Sequence, residues 1–210
     1  MEITSVNSSN KLILGIISAI SVFLVVRYIQ NNSKNISSNN SINLIESESL
    51  EIEPVKSIVI GDSKSIFISN NNSIAKIIGT NQSENNLWKS GIQLNWLKNA
   101  VKKYPVSKNV KNVVVSIGTN GGYDSNEDIT GLFNSLKNTF PNSKFYIVKG
   151  SWGWGNIKSV TESKVNKYYQ KFKDLGMIVL PTPIGETTNP HTNLPVYRVV
   201  GREIEKQISI

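Results

Sequence analysis

From Val55 onward the sequence alternates short runs of β-branched and apolar residues, each closed by glycine or proline, with longer stretches of helical periodicity. Val55–Ile60 (VKSIVI) stops at Gly61, and Lys111–Ile117 (KNVVVSI) stops at Gly118. Lys144–Val148 (KFYIV) stops at Lys149-Gly150, and Met177–Leu180 (MIVL) at Pro181. Between them, Ile92, Trp96, Leu97, Ala100, Val101 and Tyr104 recur at helical spacing, as do Ile129, Leu132, Phe133, Leu136 and Phe140. Val160, Val165, Tyr168, Tyr169 and Phe172 outline another helix, and Val196, Val200 and Ile204, with Pro195 near the start, outline the last. Strands that are apolar throughout and alternate with helices must be covered on both faces. The expected fold is therefore α/β, a three-layer α/β/α sandwich with a mainly parallel sheet. Ile74–Ile78 (IAKII) fits either a fifth, edge strand or a short helix. In a sheet of this kind ligands bind beyond the carboxyl ends of the strands, so chemistry is to be sought there.

The residues before Val55 are not expected to join that core. Leu12–Ile29 (LILGIISAISVFLVVRYI) is an apolar run that, as a helix, extends roughly 27 Å, close to the hydrocarbon thickness of a bilayer. Arg27 can snorkel to the interface, where Tyr28 is also suited. No small-residue cleavage site follows, so a retained transmembrane helix is expected rather than a cleaved signal. Lys11 precedes the span while Arg27 and Lys34 follow it, which leaves the side of the membrane open. Residues 30–54 are rich in asparagine and serine and then acidic, with too few bulky apolar side chains to bury. The expected organisation is a tail over 1–11, a transmembrane helix over 12–29, a disordered linker over 30–54 and a catalytic domain over 55–210, making a single-pass membrane protein.

Composition removes several chemistries. The chain of 210 residues has no cysteine, so disulfides, thiolate metal sites and a cysteine nucleophile are excluded. Its one histidine, His191, rules out a multi-histidine zinc centre and must serve any serine–histidine mechanism. No phosphate-binding glycine motif follows a strand, so no nucleotide cofactor is expected, and a serine–histidine mechanism implies no metal. The net charge of +8 arises beyond residue 55, because residues 1–55 hold three basic and five acidic side chains and the remainder 20 basic and 10 acidic, a net of +10. The lysines are scattered rather than gathered in an arginine-rich, aromatic-interleaved stripe, which reads as a solvated surface, and no nucleic-acid partner is expected.

Three polar signals fall at strand ends on the same edge of the sheet: Gly61-Asp62-Ser63, Gly118-Thr119-Asn120, and His191 after the last strand. Taken singly, Gly-Asp-Ser is a turn with a helix cap and Asn120-Gly121 a turn dipeptide. Together they supply what acyl transfer needs. A serine hydroxyl becomes nucleophilic when a base accepts its proton, imidazole suits that task near neutral pH, and an oxyanion needs donors aimed at it. In this order the segments resemble the SGNH hydrolases, also called GDSL esterases and lipases, over about residues 55–208. Ile58-Val59-Ile60-Gly61-Asp62-Ser63 resembles the first block, Ser90-Gly91-Ile92 the second, and Val115-Ser116-Ile117-Gly118-Thr119-Asn120 the third. The resemblance implies a flavodoxin-like fold, with Ser63 as nucleophile, His191 as base, and an oxyanion hole formed by the amides of Ser63 and Gly91 with the Asn120 side chain. The implied substrate is a carboxylic ester, an O-acetylated glycan or a lipid ester.

The sequence departs from the family at Thr188, where an aspartate usually stands three residues before the histidine. Glu186 is the nearest carboxylate that can take its place, and a backbone carbonyl is the other option. Trp152 and Trp154, in a glycine-rich loop after the third main strand, fit either substrate contact or packing. Lys64, beside the nucleophile, reads as an exposed helix lysine, the alternative being a charge that attracts an anionic substrate. The alternative function is a catalytically inactive SGNH-like binding or structural module displayed on a membrane.

Overall fold

The structure, a computed structural model, describes residues 56–78, 86–189, 191 and 194–208. The transmembrane span, tail and linker expected before Val55 lie outside the described residues; among those described, no helix is long and apolar enough to cross a membrane.

Among the described residues five strands form one sheet: β1 (Ser57–Gly61), β2 (Lys76–Ile77), β3 (Asn112–Ser116), β4 (Lys144–Val148) and β5 (Ile178–Leu180). Their order is β2-β1-β3-β4-β5 and every pairing is parallel. The two-residue periodicity of a strand sorts the core. Ile58, Ile60, Val113, Val115, Phe145 and Ile147 point into one apolar cluster, while Val59, Val114, Tyr146 and Val148 point into the other. Helices α2 (Leu94–Lys103), α3 (Ile129–Thr139) and α4 (Glu162–Asp174) close the first face through Leu97, Leu132, Leu136, Val165 and Phe172. Helices α1 (Lys64–Asn70) and α5 (Leu194–Ile208) close the second through Ile68, Tyr197, Val200 and Ile204. Each such fully buried aliphatic side chain contributes about 1.5–3 kcal/mol.

The three-layer α/β expectation holds. The ambiguous segment at Ile74–Ile78 is an edge strand of two residues, paired to β1 through Ile58 and Val59. Its shortness fits its place, since an edge strand is covered on one side only. Asp128 caps α3 by accepting from the Gly131 amide, and Thr161 caps α4 by accepting from the Lys164 amide. The strand order reverses between β1 and β3. In an open parallel sheet the crevice for a ligand opens at that reversal, outside the carboxyl ends.

Candidate active site

β1 and β3 end side by side at the reversal. Gly61 and Ser116 are register partners, and the Asp62 amide donates to the Ser116 carbonyl at 2.8 Å. Gly61 has φ +127°, and a Cβ there would lie 1.9 Å from the Ser116 oxygen, so only glycine lets the chain turn this close to its neighbour. The turn delivers Ser63 to the start of α1. Its hydroxyl makes no capping bond to the helix; it meets His191 Nε2 at 2.9 Å instead. For Ser63 Oγ–H to donate, the imidazole proton must sit on Nδ1.

His191 comes from the far edge of the sheet in sequence but not in space. It precedes α5, which packs beside α1 against the same sheet face. Its loop is tied to the loop after β4, where the Thr187 amide donates to the Trp152 carbonyl at 2.7 Å, and Thr187 adopts φ +55° to make the bend. The His191 amide donates to Asn189 Oδ1 at 3.0 Å. Two aromatic rings face the imidazole, Phe67 of α1 and Trp154, each with its centroid 6.1 Å away and near edge-on.

The segment leading to Gly91 is placed by pairing with the end of β1. The Gly61 amide donates to the Leu87 carbonyl at 2.9 Å and the Lys89 amide to the Gly61 carbonyl at 3.0 Å, so residues 87–89 run along the end of β1. Gly91 follows, exposed, at φ +76°. Asn120, in a 3-10 turn after β3, donates from Nδ2 to the Ile92 carbonyl at 3.1 Å. That bond fixes the carboxamide beside Gly91 and leaves its second N–H available.

Ser63 and His191 thus meet, and Asn120 bonds the residue after Gly91, with Ser63 and Asn120 both following the carboxyl ends of the paired strands β1 and β3. Glu186 does not join them. It is exposed, bridged through its backbone to Trp152, and among the described residues no carboxylate hydrogen-bonds His191. The two tryptophans separate as well. Trp152 is 8% exposed, with Lys149 Nζ 5.3 Å from its ring centroid, and offers little surface to a ligand. Trp154 is half-buried beside His191, and its indole N–H donates to Ser151 Oγ at 2.8 Å.

Lys64 overturns its expected exposure. It is 1% exposed, its Nζ donates to Thr119 Oγ1 at 2.6 Å, and it lies 3.3 Å from Asp62 Oδ2, itself 1% exposed. That last contact is an ion pair without hydrogen-bond geometry, since Oδ2 has no hydrogen-bond partner. Asp62 Oδ1 accepts from the Lys64 amide and from Ser116 Oγ, both at 3.1 Å. Thr119 in turn meets Tyr123 at 2.9 Å. Burial pushes the Tyr123 phenol up, with the Lys64 charge opposing. Sequence reasoning missed this buried polar group; its signal was a lysine set directly between a strand-end turn and an apolar helix face.

An open cavity of about 500 Å³ lies elsewhere, lined by Glu127, Ile129, Lys171 and Leu175 among others, and holds none of Ser63, Asn120 or His191. Among the described residues no cluster of carboxylates and histidine suits a metal ion.

Fold and site together describe a doubly wound parallel α/β domain with a serine–histidine pair at its switch point. No protein-family model matches the chain, and no curated protein matches it. Solved structures similar to it include an acetylxylan esterase from Geobacillus stearothermophilus, 13% identical over 74% of this chain and 96% of that one, with a TM-score of 0.48. The OSK domain of Drosophila Oskar is 11% identical over 72% and 88%, with a TM-score of 0.47. A member of the lipolytic G-D-S-L family from Veillonella parvula is 11% identical over 72% and 97%, with a TM-score of 0.44.

Proposed function

We propose that the chain is a serine esterase of the SGNH type, hydrolysing carboxylic esters through an acyl-enzyme on Ser63. The observation that carries this reading is the 2.9 Å contact between Ser63 Oγ and His191 Nε2, made across 128 residues of sequence by a hydroxyl that leaves the adjacent helix uncapped. In the proposed reaction Ser63 Oγ attacks the ester carbonyl while His191 Nε2 takes its proton. The Asn120 carboxamide and the Ser63 and Gly91 amides receive the oxyanion. His191 then returns the proton to the departing alcohol, and water repeats the sequence to release the acid. With no carboxylate among the described residues bonded to the imidazole, Ser63 and His191 are proposed to act as a dyad.

The substrate is an ester of a glycan or lipid alcohol, with Trp154 rather than Trp152 as the aromatic contact. Membrane anchoring through Leu12–Ile29, with residues 30–54 as linker, rests on the sequence. Labelling of the full chain by a fluorophosphonate probe tests the chemistry: the wild type should label, and Ser63→Ala and His191→Ala should not. A wild-type chain that fails to label would favour the silent module, a reading for which the missing carboxylate speaks.

A further inference from the structure

Buried polar atoms beneath the site form a directed relay that runs from Lys64 to the Ser151 carbonyl. The Lys64 ammonium has donors only, so Thr119 Oγ1 accepts from it at 2.6 Å. Tyr123 donates its phenolic proton to the Ser151 carbonyl at 2.5 Å. The 2.9 Å contact between Thr119 and Tyr123 must therefore run from the threonine hydroxyl to the phenol oxygen. The side chain of Ser151, fully buried, accepts the Trp154 indole N–H at 2.8 Å, and the Trp154 ring meets His191. A second tie joins the same two loops, with Tyr169 donating to the Ile117 carbonyl at 3.0 Å while accepting from the Gly150 amide at 2.8 Å. Gly150 permits the approach, because a Cβ there would fall 2.2 Å from the Tyr123 hydroxyl and 3.0 Å from Lys64 Nζ.

The stations of this relay are not scattered. Lys64 follows Ser63, Thr119 precedes Asn120, and Ser151 holds the ring that borders His191. Filling the same space with apolar side chains would avoid the desolvation of an ammonium and a carboxylate, so stability alone is a weak reason for the arrangement. We propose that Lys64, Thr119, Tyr123 and Ser151 are positioning residues, a hydrogen-bonded spine that holds Ser63, Asn120 and His191 in mutual register, with Asp62 fixing its charged end. The proposal rests on the esterase reading for its catalytic consequence. Its structural content, coupling between Thr119 and the surroundings of His191, stands apart from that reading.

Thr119→Val removes the relay's hydroxyl while keeping its shape, Thr119→Ser restores it, and Tyr123→Phe breaks the next link. All are measured in the full chain, with p-nitrophenyl acetate as substrate and with NMR of the Trp154 indole and the His191 imidazole. Thr119→Val and Tyr123→Phe should lower kcat about 10- to 100-fold, as expected for slight misplacement of reacting groups. KM should stay within about twofold, since the lost contact is not to substrate. Both variants should shift the Trp154 and His191 resonances, and Thr119→Ser should return kcat and resonances toward the wild type. Wild-type kcat and unmoved resonances in Thr119→Val and Tyr123→Phe would overturn the spine, as would lost activity that Thr119→Ser fails to recover. A wild-type chain inert toward the ester and the probe would instead overturn the esterase reading and with it the catalytic role, leaving the resonances to decide the coupling.

Discussion

Replacing Lys64 with methionine keeps the stem and removes the charge, and the structure sets the cost. Lys64 and Asp62 are each 1% exposed and their charged atoms stand 3.3 Å apart. At an effective dielectric near 20 the gross attraction at that distance is about 5 kcal/mol. Desolvation of both ions offsets much of it, so the intact pair contributes little net stability. Breaking it is another matter, because Asp62 Oδ2 then has neither a counter-charge nor a hydrogen-bond donor. A buried charge orphaned in this way costs about 3–5 kcal/mol. For a domain of this size each kcal/mol moves the melting temperature by about 2–4 °C, so Lys64→Met should lower Tm by about 6–20 °C. Asp62→Asn should be destabilising for the reciprocal reason. In the double variant both charges are gone while asparagine can still accept at Oδ1 from Ser116 and the Lys64-position amide. Its loss should therefore fall short of the summed single losses by at least about 2 kcal/mol. Urea unfolding followed by tryptophan fluorescence gives all four free energies. Strict additivity, or a Lys64→Met variant as stable as the wild type, would refute the buried pair.

With Asn120 in its proposed role, Asn120→Ala should reduce kcat about 10²- to 10³-fold with KM much less changed, the usual effect of losing one oxyanion donor, measured by steady-state kinetics. Because Glu186 is exposed and makes no bond to His191, Glu186→Ala should leave kcat near the wild type, whereas Thr188→Asp should raise it by supplying a carboxylate near the imidazole. The reverse pattern in the same kinetic assay would assign Glu186 to the ring. Burial is the main influence holding the Glu127 carboxyl above its ordinary 4.5, outweighing the hydrogen bond from Tyr168. A raised carboxylate binds more protons folded than unfolded in that window, so its contribution to stability falls as pH rises through the folded pKa. Glu127→Gln should thus melt higher than the wild type at pH 8, with the difference closing below pH 4.5; melting curves across that range check it.

The sheet was legible in the sequence because its strands are buried on both faces. A run such as Val113-Val114-Val115 has no solvent face to dilute the signal, and glycines or proline close the main runs. The helices α2, α3, α4 and α5 were legible for the complementary reason, each showing one apolar stripe. Of α1 only the start was legible, as a helix cap at Ser63 and a helix lysine at Lys64; its extent and buried face were not, because seven residues give barely two turns of periodicity and Lys64 and Ser65 stand where apolar side chains would have announced a buried face. β2 stayed ambiguous because two paired residues cannot display alternation.

At the site, what pattern could reveal was position along the chain: polar residues at strand ends of a parallel sheet share an edge whatever lies between them. What it could not reveal was direction. Whether Lys64 points to solvent or inward depends on partners at Thr119 and Asp62, and a sequence shows the partners without the geometry that joins them. Glu186 illustrates the converse, since proximity in sequence to His191 suggested a contact that the backbone bridge to Trp152 does not provide. Thr188 stands where the family that the sequence resembles usually has aspartate, and the imidazole meets two aromatic rings, one from α1 beside Ser63 and one tied to Ser151. In the proposed dyad, base and nucleophile are therefore held by packing and by the buried relay rather than by a carboxylate. Such a base depends on the rigidity of its neighbours, which gives a physical reason for so much buried polar bonding beneath a small site.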